Sequence, residues 1–215
     1  MYDWPATSLP EDMVLICTDP QSAVVKRTQL NSRVLAGAVL LELVQRSAIT
    51  VDAKRITGVW PLPLGDPFAE AILADINRAR PSRSSLRLSR WVDKASRKVD
   101  RAYLDRLTAR GLLYARPRRL LGVFPSTTWT AVNPAWFVHL TARVDHAVRP
   151  EAYGPPTTSD LYLTALVGVT LSRRLYPGWD NRPLRRRISD PSHVNPIVNA
   201  VEQVLAADAR RRSDD

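Results

Sequence analysis

The chain contains a single cysteine, Cys17, among 215 residues. An internal disulfide is therefore excluded, which fits a reducing compartment. Cys17 follows the apolar run Met13-Val14-Leu15-Ile16 and reads as a small buried hydrophobe, not a nucleophile. Glycine is also scarce, with eight residues. No GxGxxG, Walker or GxSxG pattern occurs, so phosphate-cradling loops and a nucleophile elbow have no candidate. The three histidines, His139, His146 and His193, lack zinc spacing. Asp66 and Glu70 stand i,i+4 at a helix start, where a cap and a dipole partner explain them better than acid–base chemistry. The expectation is a protein without catalytic residues, metal or cofactor.

Long hydrophobic runs are missing too. The most apolar stretch, Val34 to Val44, is eleven residues and contains Glu42. A membrane-spanning helix needs about 20. The N-terminal Met-Tyr-Asp-Trp-Pro shows no basic segment leading into an apolar one. No cysteine pair or myristoylation pattern supplies a lipid anchor. The chain reads as cytoplasmic, either soluble or attached peripherally to a membrane.

What is abundant is positive charge, and it is concentrated. The formal net charge is +10, and residues 81–120 hold twelve Lys/Arg against three acids. Localised charge attracts counter-charge far better than the same charge spread out. Arg83, Arg87, Arg90, Lys94, Arg97 and Arg101 follow one another at steps of 4, 3, 4, 3 and 4. On one continuous helix they would fall within a sector of about 80°. Such a row points to a polyanion: nucleic acid, a phosphoinositide or an anionic membrane.

The length and the 45% hydrophobic content suit one globular domain over 1–215. Residues 1–8 and 210–215 read as tails. Helices are expected at 9–18, 29–47, 67–79, 134–147, 157–175 and 194–209. The 29–47 segment is apolar on nearly every side, which marks a central buried helix. Glu42 is its exception, with Arg46 at pairing distance one turn on. Phe68, Ile72 and Ile76 mark a face of the 67–79 helix. Residues 49–59 read as a hairpin around Asp52-Ala53-Lys54. Residues 112–132 read as a second one, turning at Pro125-Ser126. Gly111 supplies a C-cap for the helix before it. Residues 181–187 carry four more arginines. The fold class is mainly α: a buried central helix surrounded by amphipathic helices, with one or two β-hairpins.

Five stretches, in order, resemble the Golgi phosphoprotein 3 family, in its shorter bacterial form. They are LPEDMVLICTDP, LAGAVLLELVQRSAI, PLGDPFAEAIL, WVDKASRKVDRAYLDRLTARGLL and RRLLGVFPSTTW. The resemblance implies a mainly helical fold without catalysis. It implies a basic surface for phosphatidylinositol 4-phosphate, capture of cytosolic tails of membrane proteins, and a long hairpin used for membrane contact or self-association. Four positions form the family's lipid pocket. Here they hold Arg27, Ala36, Arg97 and Asp100, and only Arg97 keeps the family's residue. Arg101 stands next to the last of them. A general anionic-headgroup site is expected, carried by Arg97, Arg101, Arg90, Lys94 and Arg27. The pattern also implies a helix break near Ala95-Ser96, which would divide the cationic row.

In the second hairpin, Leu120, Leu121, Phe124 and Trp129 lie beside Arg116, Arg118 and Arg119. Apolar groups with basic neighbours suit the acyl–headgroup boundary. The alternatives are a homo-oligomer interface or packing on the body. The leading expectation is a peripheral adaptor for anionic phospholipid headgroups. The rivals are a winged-helix-like DNA binder, with DRLTARGLL as recognition helix and the hairpin as wing, and a protein-binding scaffold without lipid.

Overall fold

The computed structural model describes residues 4–26, 32–79, 85–96, 98–120, 124–170 and 195–213. The elements run α1 (Leu9–Leu15), α2 (Ser32–Gln45), β1 (Ile49–Asp52), β2 (Arg55–Val59), α3 (Pro67–Ala79), β3 (Leu86–Arg87), α4 (Leu88–Ala95), α5 (Val99–Ala109), β4 (Leu113–Leu120), β5 (Phe124–Ala131), α6 (Trp136–Val148), α7 (Pro150–Tyr153), α8 (Thr158–Thr170) and α9 (Pro196–Ser213). The fold is mainly α with two small antiparallel sheets, as the sequence implies. Among the described residues, no helix is long and apolar enough to cross a membrane.

α2 is the centre. Val34 to Leu41 is buried without interruption, and α1, α3, α4, α5, α8 and α9 all pack on it. A helix contacted on every side cannot afford a polar stripe, which explains its all-round apolar sequence. Gly37 sets how close α9 comes. A Cβ at Gly37 would sit 2.5 Å from the Val201 Cγ2 atom. Glu42 is kept inside by a double task. Its Oε2 accepts the Leu9 backbone N–H at 2.9 Å, and its Oε1 accepts from Arg46 Nε at 2.7 Å. The expected i,i+4 pair thus also caps the start of α1.

The cationic row is divided where the family pattern places the break. α4 stops after Ala95, and the Ser96 hydroxyl donates back to the Asp93 carbonyl at 2.8 Å. α5 starts at Val99. It ends in a Schellman turn: the Leu112 N–H donates to Leu107 O at 2.9 Å and the Gly111 N–H to Thr108 O at 3.0 Å. Gly111 takes φ +71°, as its assignment to the cap requires. Arg87 lies in β3 just before α4, not within a helix.

Several boundaries differ from the sequence reading. In α3 the core side is Ala69, Leu73 and Ile76, while Phe68 and Ile72 are only half-buried. The second hairpin does not turn at Pro125-Ser126. Those two residues pair with Arg119 and Arg118 inside the ladder, and Leu120 pairs with Phe124. Trp4 is not in a tail: its ring stacks on His139 at 4.1 Å between centroids. At the other end α9 continues through Arg210 to Ser213, so the expected C-terminal tail is largely helical. Four-residue α7 has no sequence counterpart. The arginines of 181–187 and His193 lie outside the described residues.

Candidate functional site

The β2–β3 pairing builds the most basic hollow. Its register sets Arg55 directly opposite Arg87, and Ile56 opposite Leu86. Like charges directly opposed across a ladder are destabilising. Arg55 is oriented by Ser85, donating from Nη1 to its carbonyl at 3.0 Å and its hydroxyl at 2.7 Å. α4 follows at once and adds Arg90 and Lys94. These four cations, with Ala79, Ser85, Leu86 and Trp91, line a groove of about 660 Å³, and no carboxylate stands among its described lining residues. All four are exposed. Among the described residues, Arg87, Arg90 and Lys94 make no ion pair.

The five expected headgroup residues separate into three groups. Arg90 and Lys94 share this groove. Arg101 is on α5, where its Nε donates to Asp105 at 2.8 Å and its guanidinium lies 5.1 Å from the centre of the Trp129 ring. Its charge is already locally matched. Arg97 and Arg27 lie outside the described residues. Arg55 was missed. Its signal was available only through pairing, because a lone arginine in a turn-flanked strand says nothing about a helix thirty residues on.

The second hairpin projects from the body. Leu113 is buried, but Tyr114 through Arg118 are exposed on both faces of the strand. Its base is held by residues 18–25, with the Val25 N–H donating to Trp129 O and the Ala131 N–H to Ala23 O, both at 2.8 Å. Trp129 is the correction among the expected membrane-contact residues. It is 1% exposed and belongs to the core. The strand alternation that leaves Ser126 out turns Trp129 inward at the base. Leu120 and Phe124 are backbone partners at the last described rung, and Leu121 lies outside the described residues.

α1 holds the feature that sequence reading did not reach. Glu11 and Asp12 are each 1% exposed. Glu11 accepts from Arg106 Nε at 2.9 Å, from Arg110 Nη1 at 2.5 Å and from the Ser8 backbone N–H at 2.9 Å. Arg106 then grips Asp66 with two parallel bonds of 2.8 Å. Asp66 meanwhile caps α3, accepting from the Phe68 and Ala69 N–H groups. Asp12 accepts from Arg143 Nη1 at 2.7 Å, and the same guanidinium reaches Asp160 at 2.6 Å. Two arginine-centred clusters therefore bind α1 to α3, α5, α6 and α8. Glu11 and Asp12 are structural counter-ions.

Burial alone would raise the carboxyls of Glu11, Asp66 and Asp160. Bonds from Arg110, Arg106, Thr157 and Arg143 outweigh it and hold all three below their ordinary values. Asp12 goes the other way, because burial outweighs the pull of Arg143. A carboxyl lowered by folding stabilises the native state above its unfolded pKa, and that contribution is lost as pH falls through the folded value. Three such groups against one set the net direction. The urea midpoint should hold from pH 7 to 5 and then drop progressively below about pH 4.5. A midpoint unchanged at pH 3.5 would contradict this assignment.

The remaining titratable candidates are structural. Glu70 accepts the Leu64 N–H at 2.8 Å. The His139 pKa is lowered, first by burial and then by Arg143. Among the described residues no cluster suited to a metal ion occurs. No curated protein matches the chain. The family model of Golgi phosphoprotein 3 (GPP34) matches residues 9–207, a span from the buried acids of α1 through the groove and the hairpin into α9. The chain belongs to the Golgi phosphoprotein 3 family.

Proposed function

We propose that this protein is a non-enzymatic peripheral adaptor. It holds anionic phospholipid headgroups against its basic face and presents cytosolic tails of membrane proteins to that surface. The observation that carries the reading is the groove of Arg55, Arg87, Arg90 and Lys94, without a carboxylate among its described lining residues. Arg55 pairs with Asp52 on one side and with Arg87 on the other, and a phosphate bound in the groove would offset the repulsion between the two arginines. The family is not one known for catalysis. In this proposal Arg97, Arg101 and Arg27 also meet the anionic surface, and Leu120, Leu121 and Phe124 of the second hairpin supply apolar contact with the bilayer.

DNA binding is less well supported. Arg106 and Arg110, which a recognition helix at α5 would need, are engaged with Glu11 and Asp66. Vesicle flotation tests the proposal. Wild type should bind vesicles containing phosphatidylinositol 4-phosphate or phosphatidylglycerol and leave neutral phosphatidylcholine vesicles. Each basic residue near an anionic surface contributes about 1 kcal/mol. Arg90→Glu with Lys94→Glu should therefore lower anionic-vesicle binding at least 30-fold. Arg97→Glu with Arg101→Glu should weaken it less, because Arg101 is already paired. Equal binding to neutral and anionic vesicles, or no loss in the first variant, would sink the proposal.

A further inference from the structure

The cationic groove continues. Ala79, Trp91 and Lys94 also line a second hollow of about 690 Å³ between α3 and the α4–α5 pair. Its apolar walls are Phe68, Ala71, Ile72, Ala95, Val99 and Ala102. The half-buried Phe68 and Ile72, displaced from the core side of α3, find their place here. Lining residues recur along α3 from position 68 to 79, which at 1.5 Å per residue is a trough about 16 Å long. Alanines at 71, 79, 95 and 102 keep it open where larger side chains would close it. Of its charged members, Asp75 and Arg78 pair with each other at 2.8 Å. Lys94 stands at the junction with the basic groove.

We infer that the joined grooves take one anionic lipid molecule, its phosphate among Arg55, Arg87, Arg90 and Lys94 and one acyl chain laid along α3 toward Phe68. This rests on the headgroup reading above and goes beyond it. A surface-only adaptor needs the charges but has no use for the trough. The argument is one of asymmetry. Cations gather at one end, and apolar walls at the other, which is the polarity of a lipid. An acidic amphipathic helix would carry charge along its whole length, yet among the described residues the apolar half offers it only Lys98 beyond the paired Arg78. An exposed apolar trough of this size is itself a binding signal. Each methylene transferred from water into it is worth about fourfold in affinity.

The test is calorimetry on the full chain with four soluble probes. They are oleoyl lysophosphatidic acid below its micelle concentration, glycerol 3-phosphate, oleoyl lysophosphatidylcholine and an acidic amphipathic helical peptide. Lysophosphatidic acid should bind at least 100-fold more tightly than glycerol 3-phosphate and at least tenfold more tightly than lysophosphatidylcholine. Ala71→Phe fills the trough from an exposed position, leaves every charge in place, and should cost at least tenfold for lysophosphatidic acid but not for glycerol 3-phosphate. Ala102→Phe serves the same purpose if the first variant fails to fold.

Equal binding of the two phosphates, or full binding by both filled variants, overturns the acyl-chain inference. If anionic vesicles still float the protein, the headgroup reading survives that failure. Equal binding of the two lyso-lipids removes the phosphate from the groove. Tight binding of the peptide without binding of lysophosphatidic acid overturns the inference in favour of a protein partner.

Discussion

Arg106→Met should lower the free energy of unfolding by about 3 kcal/mol, read as a shift in the urea midpoint. Removing this side chain strips Asp66 of a bidentate partner and leaves Glu11, 1% exposed, with Arg110 and the Ser8 N–H. A buried carboxylate that loses a guanidinium suffers its desolvation without the compensating attraction. Glu11→Gln should cost less, since a neutral amide is cheaper to bury. Combining the two should cost less than the sum of the separate changes, because each removes the same interaction. A loss under 1 kcal/mol for Arg106→Met would place the pair with ordinary surface ion bridges.

The second large effect is expected at Trp129. Trp129→Ala should cost about 3–5 kcal/mol, the range for emptying a buried aromatic site. Its ring is 1% exposed, and the guanidinium of Arg101 covers it. Thermal melting followed by circular dichroism gives the stability. Flotation of the folded fraction gives the binding, which should match wild type. A stable Trp129→Ala protein with weakened flotation would restore the membrane-contact role that the burial argues against.

Much of the fold was legible because its signals are local. The all-apolar 34–44 run names the central helix. Asp66-Pro67 starts α3 and Gly111 ends α5 at the expected residues. The break at Ala95-Ser96 came from the family pattern and not from periodicity, which favoured one long helix. The hairpin turn lies before Pro125 and not at it, since Pro125 pairs with Arg119 inside the ladder. Proline is tolerated where its missing N–H is not needed by the ladder.

The site was legible only in part. Arg90 and Lys94 follow from their spacing on one helix. Arg55 joins them through the register with Arg87, a long-range fact that no helical period encodes. The acids of α1 were visible, but their partners lie 95 and 131 residues away in Arg106 and Arg143. A sequence shows which charges exist, while the fold decides which ones are consumed internally. That decision removes Arg106, Arg110 and Arg143 from the available positive surface.

The same long-range pairing bears on how the chain is made. α1 emerges from the ribosome before the helices that carry its counter-ions, bringing two carboxylates that the native state buries. The guanidinium for Asp12 follows 131 residues later. At about 5–20 residues per second, that is a wait of roughly 7–26 s. Val201, which meets Gly37 at the closest approach to α2, comes later still. The nascent chain must therefore keep the Gly37 side of the apolar α2 segment uncovered until α9 has been made. Chaperone occupancy on stalled chains should fall abruptly once α9 has cleared the exit tunnel.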